Sequence, residues 1–143
     1  MEVSLTEYRA LAEFRLQIRR FLHFSEDRAR SKGLEPQQHQ LLLAIRGLPP
    51  GVSATIGELA ARMYLKHHTT VELIDRLEKR GYLRRTASTK DRRQVLVHLT
   101  HSGAAILRSL SLAHRQELET AGPALTVAIR GLRKANSTDR NAA

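Results

Sequence analysis

The sequence predicts a mainly α-helical fold with one small β-hairpin, an α+β chain of about six helices, and three observations carry that reading. Apolar residues recur at spacings of three and four over most of the chain, as at Leu41, Leu42, Ile45 and Leu48, which is the period of a helix with one buried face. One stretch breaks that period: Val95, Val97 and Leu99 alternate, as they do in a half-buried strand. Glycine and proline at Gly33, Pro49-Pro50-Gly51, Gly81 and Gly122-Pro123 divide the chain into pieces of helical length. With 143 residues, one domain or one two-lobed unit can bury about two-thirds of its unfolded surface.

The first helix is expected from about Leu5 to Ser31, where Leu5, Tyr8, Leu11, Ile18, Phe21 and Leu22 share a face. Lys32-Gly33 supplies the cation and the glycine that suit a C-terminal end. A helix of this length outruns a small core, so part of its stripe is expected to meet another subunit. Pro36 suits the first position of a second helix, which ends at Pro49-Pro50-Gly51. Thr55-Ile56-Gly57-Glu58 has capping-box spacing, with the hydroxyl accepting from the Glu58 amide and the carboxylate bonding back. Ile56, Leu59, Ala60 and Met63 form the buried side of this third helix.

After a break at Tyr64-Leu65-Lys66, Thr70, Leu73, Ile74 and Leu77 share the face of a fourth helix that Gly81 closes. Tyr82 to Thr86 and Gln94 to Leu99 read as strands around the polar loop Ala87 to Arg93. Thr100 then caps a helix running towards Ala121, Gly122-Pro123 is expected to break it, and a short last helix covers Ala124 to Lys134. The polar remainder, residues 135–143, lacks core residues and is expected to be disordered. Two short consecutive helices with a tight turn form a helix-turn-helix, whose second member is placed to enter a major groove, and the following hairpin is a wing.

Composition narrows the function. Without cysteine there is no disulfide, thiolate metal site or thiol nucleophile, which suits a cytoplasmic protein. The start, MEVSLTEYRA, lacks a basic segment followed by an apolar one, and no apolar run approaches the roughly 18 residues of a membrane span. A soluble chain with no membrane partner is expected. Lys and Arg number 24 against 14 acids, a net charge of +10, which draws polyanions. No glycine-rich phosphate loop, nucleophile elbow or paired-carboxylate motif appears, so the chain is read as a non-enzyme without cofactor. His23, His39, His67, His68, His98, His101 and His114 contain no i,i+4 pair, the spacing at which two histidines on one helix share an ion.

Four segments, in order, resemble the MarR family of winged helix-turn-helix transcriptional regulators. They are Ile56-Gly57-Glu58-Leu59-Ala60, Leu73 to Leu83, the wing tip Asp91-Arg92-Arg93, and Leu99-Thr100 with Gly103. The resemblance covers nearly the whole chain. It implies an intertwined homodimer built through the N- and C-terminal helices, with two winged heads on successive major grooves of a pseudo-palindromic operator. The organisation it implies is a dimerisation helix in residues 1–34, a DNA-binding lobe in 35–100 and C-terminal dimerisation helices in 101–134. It further implies a cytoplasmic repressor released by a small-molecule effector bound between the dimerisation helices and the lobe. Phe14, Phe21, Phe24, His39 and Tyr64 are the aromatic candidates for that pocket.

The segment from Arg84 to Arg93 holds five cations and one acid, and an arginine at a hairpin tip gains in the narrow, negative minor groove of an A-tract. By similarity Arg93 enters the groove and Asp91 braces a neighbouring guanidinium, while Lys90 and Arg92 meet phosphates. His67, His68, Thr69 and Thr70 occupy the first turn of the recognition helix, Val71 suits a thymine methyl group, and Arg76 suits a phosphate or guanine. Glu72 with Arg76 and Asp75 with Lys79 have i,i+4 spacing, which is worth about 0.2–0.5 kcal/mol per pair; Glu72 also suits a cytosine amine. Ser53 and Thr55 suit either phosphate contact or plain capping. Two rival readings stand beside double-stranded DNA: a winged module for protein or RNA, and a regulator holding metal through histidines of separate helices.

Overall fold

The structure, a computed structural model, describes residues 1–141, with side chains through residue 137. The described residues form five helices and one antiparallel hairpin: α1 (Leu5–Ser31), α2 (Pro36–Arg46), α3 (Ile56–Met63), α4 (His67–Lys79), β1 (Leu83–Ala87), β2 (Val95–Leu99) and α5 (His101–Asn141). They fall into two compact units, one of residues 1–28 with 112 onward, the other of Ala29–Ser111.

The core of the Ala29–Ser111 unit follows the apolar periods. Leu34, Leu41, Leu42, Leu59, Ile74, Leu77, Leu83, Val97 and Leu110 are buried, with Ile45, Ile56, Met63 and Leu99 packed against them. Each large side chain so enclosed contributes about 1.5–3 kcal/mol through removal from water. α3 packs between α2 and α4, and α2 and α3 both touch β2.

Local chemistry sets the ends. The Glu35 amide donates to Gln38 Oε1 at 2.9 Å ahead of α2, and Pro36 occupies the first turn, where a missing N–H costs nothing. Thr55 Oγ1 accepts from the Glu58 amide at 3.2 Å, but no return bond from the Glu58 carboxylate is found among the described residues. Glu58 instead pairs with Arg62 Nε at 2.8 Å, and the Thr55 amide donates to the Ser53 carbonyl. Thr55→Ala therefore removes the one side-chain acceptor at this helix start and is expected to cost about 1 kcal/mol, read as a lower denaturation midpoint with an unchanged m-value.

Between α3 and α4 the chain turns on Tyr64, a left-handed residue at φ 52° that closes α3 without glycine. At the other end of α4, Gly81 at φ 78° lets the Tyr82 amide reach the Leu77 carbonyl. Arg80 reaches the Gly33 carbonyl at 2.7 Å and Gln38 Oε1 at 3.2 Å, and its guanidinium lies 5.2 Å from the Tyr82 ring centroid. One side chain thus joins the start of α2 to the end of α4.

The hairpin register pairs Leu83 with Leu99, Arg85 with Val97 and Ala87 with Val95. Both strands begin one residue later than the sequence pattern suggests. Tyr82 is committed to the α4 cap and accepts from the Thr100 amide, while Gln94 closes the wing loop through Ser88 and Asp91.

The described residues contain one helix fewer than expected. Gly122-Pro123 does not end a helix: α5 runs through Pro123 from His101 to Asn141. Proline forgoes one hydrogen bond but does not forbid helical backbone on either side, and Thr126 Oγ1 adds a bond to the Gly122 carbonyl at 2.9 Å. Residues 135–141, expected as tail, are helical, and 142–143 lie outside the described residues. Thr100 Oγ1 caps α5 by accepting from the Gly103 amide at 3.1 Å and also donates to the Gly81 carbonyl.

Candidate nucleic-acid interface

The wing tip is shaped by two short side chains. Ser88, 8% exposed, accepts through Oγ from the amides of Lys90 and Asp91, and Asp91 Oδ1 accepts from the Arg93 amide at 3.0 Å. Asp91 therefore braces backbone, and the guanidinium expected as its partner is not the group it holds. A carboxylate two residues before an amide closes a local turn at low entropic cost, which a long flexible arginine does not match. Lys90, Arg92 and Arg93 are left exposed, with no ion pair among the described residues.

The other two cations of the hairpin serve different purposes. Arg85 turns onto α4, where it pairs with Asp75 and lies 3.8 Å through Nε from Glu78 Oε2. The expected Asp75–Lys79 pair is thus replaced by a tertiary one, because β1 runs alongside α4 and offers a planar fork that two carboxylates share. No ion pair joins Glu72 to Arg76 among the described residues, and both are exposed. Arg84, next along the strand, points to the opposite face of the sheet. Of the cations singled out in the sequence, Lys90, Arg92, Arg93 and Arg76 are thus exposed and without an ion pair among the described residues.

At the start of α4, His67 and His68 are exposed and Thr69 and Val71 are half-buried. Thr70 is not available to a ligand: it is fully buried, and its hydroxyl donates to the Lys66 carbonyl at 3.0 Å. Its position on the apolar face made burial readable, and the hydroxyl finds its partner one turn back. Ser53 is exposed, whereas the Thr55 hydroxyl is occupied as a cap.

A notch of about 300 Å³ gathers several of these groups. Thr55, Ile56 and Gly57 from the start of α3, His67 from the start of α4, and Arg93, Gln94 and Val95 from the wing line it. Two helix N-termini and an unpaired arginine converge there, an arrangement suited to an anionic oxygen. Gly57 and Gln94 were read from the sequence as structural positions and not as lining residues, since only the folded hairpin brings both to one notch.

The aromatic candidates are dispersed. His39 is buried in α2, whereas Tyr64 is 97% exposed at the α3–α4 turn. In the other unit, His114 lies edge-on to Phe21 and Phe24 and 2.8 Å from Ser25 Oγ, and Phe14 is half-buried. His98 Nε2 is 2.7 Å from Thr86 Oγ1, and His23 pairs with Asp27. Among the described residues no three His, Asp or Glu side chains group closely enough to hold a metal ion, and no helix is long and apolar enough to cross a membrane.

Residues 32–94 match the model of the MarR family. This match ends at Gln94, so it takes in α2, α3, α4, β1 and the wing tip. An HTH-type transcriptional regulator of Bacillus subtilis (strain 168), YsmB, is 43% identical over 63 residues, 44% of this chain and 42% of its own length. The chain thus spans about two-fifths of that relative. Among solved structures, AbsC, a MarR family transcriptional regulator from Streptomyces coelicolor, superposes with a TM-score of 0.74 at 20% identity over 99% of both chains. The MepR–DNA complex of S. aureus superposes with a TM-score of 0.67 at 18% identity, over 90% of this chain and 93% of that one. At such identities the likeness is one of fold.

Proposed function

We propose that this chain, whose residues 32–94 belong to the MarR family, is a sequence-specific double-stranded DNA-binding regulator of transcription that acts in the cytoplasm as a homodimer on a pseudo-palindromic operator. One observation carries the reading: unpaired Arg93 and exposed His67 line the same notch, so wing and recognition helix present one continuous surface. Lys90 and Arg92 flank it on the phosphate side, His68, Thr69 and Val71 extend it along the groove, and Arg76 lies further down the helix. Phosphate contacts from the wing give affinity and register, while the first turn of α4 selects sequence.

The dimer is supported by apolar side chains that the described residues leave in solvent. Leu5, Tyr8, Leu11 and Leu22 on α1, and Leu118, Val127 and Ile129 on α5, are exposed, Val127 to 67%. Exposed apolar surface on this scale marks an interaction face. Sedimentation is expected to give the mass of two chains, and Leu11→Glu with Val127→Glu to give one; two-chain mass in that variant would contradict the assignment of the face.

Selection of bound duplexes from a random pool tests the reading as a whole. The expected product is a site with two-fold symmetry and half-sites about 10 base pairs apart, one helical turn. Enrichment of structured RNA over duplex, or of an asymmetric site, would count against it.

A further inference from the structure

Two residues of the α3–α4 turn are poorly suited to the backbone they occupy. Tyr64, at φ 52°, is the one non-glycine residue at positive φ among the described residues, whereas Gly33, Gly51 and Gly81 fill the other such positions. A Cβ is strained in that conformation and glycine is not. Lys66 is the N-cap of α4, and its side chain makes no capping bond. An ammonium has no lone pair for the free amides of a first turn, and the helix dipole opposes a cation at that end.

Packing accounts for neither choice. Tyr64 is 97% exposed, and Lys66 is exposed as well. Neither side chain makes a hydrogen bond, ion pair or ring contact among the described residues. Folding alone therefore favours glycine at the first position and a short polar acceptor at the second. Local rules broken together at one exposed turn mark a surface shaped by a ligand.

The two groups suit one chemistry. A phenol offers a flat apolar face and an O–H donor, and an ammonium is a compact point charge with three donors. Sugar and phosphate alternating along a nucleic-acid strand match that pair. Residues 61–71 contain no acid, and Glu58, one turn back on α3, is paired with Arg62. Lys66 directly precedes His67, which lines the notch, while neither Tyr64 nor Lys66 lines it. The turn thus adjoins the notch surface without belonging to it.

We propose that Tyr64 and Lys66 form a second backbone clamp on the duplex, independent of the wing. Lys66 Nζ pairs with one phosphate, and Tyr64 Oη donates to a phosphate of the same strand while its ring rests on the adjoining deoxyribose. Contacts of this kind carry no base information but fix position, so the clamp holds the N-terminal side of α4 as the wing holds the other flank. The assignment rests on the DNA-binding reading.

Because both residues are locally unfavourable, their replacement separates binding from folding. Tyr64→Gly removes the strain and Lys66→Ser supplies a cap, so both variants are expected to unfold at or above the parent temperature. Each is nevertheless expected to bind duplex about tenfold more weakly by fluorescence anisotropy, the equivalent of one charged contact. Tyr64→Phe, which keeps the turn and the ring, should lose about fivefold through its missing donor. Over a salt series, Lys66→Ser should flatten the slope by about 0.9 and Tyr64→Phe should leave it unchanged. The losses should be equal on the selected site and on an unrelated duplex, and should multiply with those of Arg92→Ala and Arg93→Ala, which act at other phosphates.

Parent-like duplex affinity in Tyr64→Gly and Lys66→Ser would overturn the clamp alone and leave the turn to a protein partner. A loss confined to the selected site, or one accompanied by a lower unfolding temperature, would equally overturn it, as a base contact or a structural role respectively. Absence of duplex binding by the parent chain would overturn the DNA-binding reading and the clamp with it.

Discussion

Replacing Arg92 and Arg93 together by alanine is expected to weaken binding to the selected duplex by about 2–4 kcal/mol, roughly 30- to 1,000-fold, since a positioned arginine contact is worth about 1–3 kcal/mol. The same variant should flatten the dependence of log K on log salt by about one to two, because each neutralised phosphate contributes roughly 0.9 to that slope. Both side chains are exposed and without ion pairs among the described residues, so thermal stability is expected to stay within about 0.5 kcal/mol of the parent. Fluorescence anisotropy over a salt series reads both numbers. Parent-like affinity with a parent-like slope would move the contact surface away from the wing.

Gly103→Ala is expected to be the most damaging single methyl addition in the chain. A Cβ there would lie 3.0 Å from the Tyr82 carbonyl carbon and nearer still to its oxygen, and that carbonyl also accepts from the Thr100 amide. Backbone on both sides is pinned, so neither can retreat. Overpacking of this kind costs about 3 kcal/mol, and thermal unfolding should fall by roughly 10 °C. Gly131→Ala is the matched comparison: it lies within α5 with open space at the Cβ position, and there alanine should stabilise by about 0.5–1 kcal/mol. A small loss at Gly103 would mean that α5 can shift along Tyr82, against the close approach described.

The apolar faces of α2, α3 and α4 were legible because period alone fixes which positions go inside. Thr70, Leu73, Ile74 and Leu77 were read as one face and are all buried. Thr55 as a cap and Gly81 as a helix end were legible for a similar reason, since hydroxyl capping and positive φ are local requirements. The pairing of Asp75 was not. Its i,i+4 neighbour Lys79 is visible in the sequence, whereas Arg85 comes beside it only after β1 lies along α4. Likewise Gly122-Pro123 is a strong local stop signal, yet the helix continues through it. Of the contact residues, Thr70 failed because one side chain was assigned both the buried face and the ligand face, and burial wins when a carbonyl one turn back satisfies the hydroxyl.

The contact of Arg85 with Asp75 and Glu78 bears on how this helix-turn-helix unit can be re-engineered. A graft of residues 67–79 alone into another winged scaffold would carry both acids and leave their cation behind. On the proposed DNA-binding reading, uncovered carboxylates beside phosphate would then mask any preference due to the first turn of α4, and such a chimera would be misjudged as having lost its specificity. The transferable cassette is residues 67–87, cut after the strand that supplies the counter-charge.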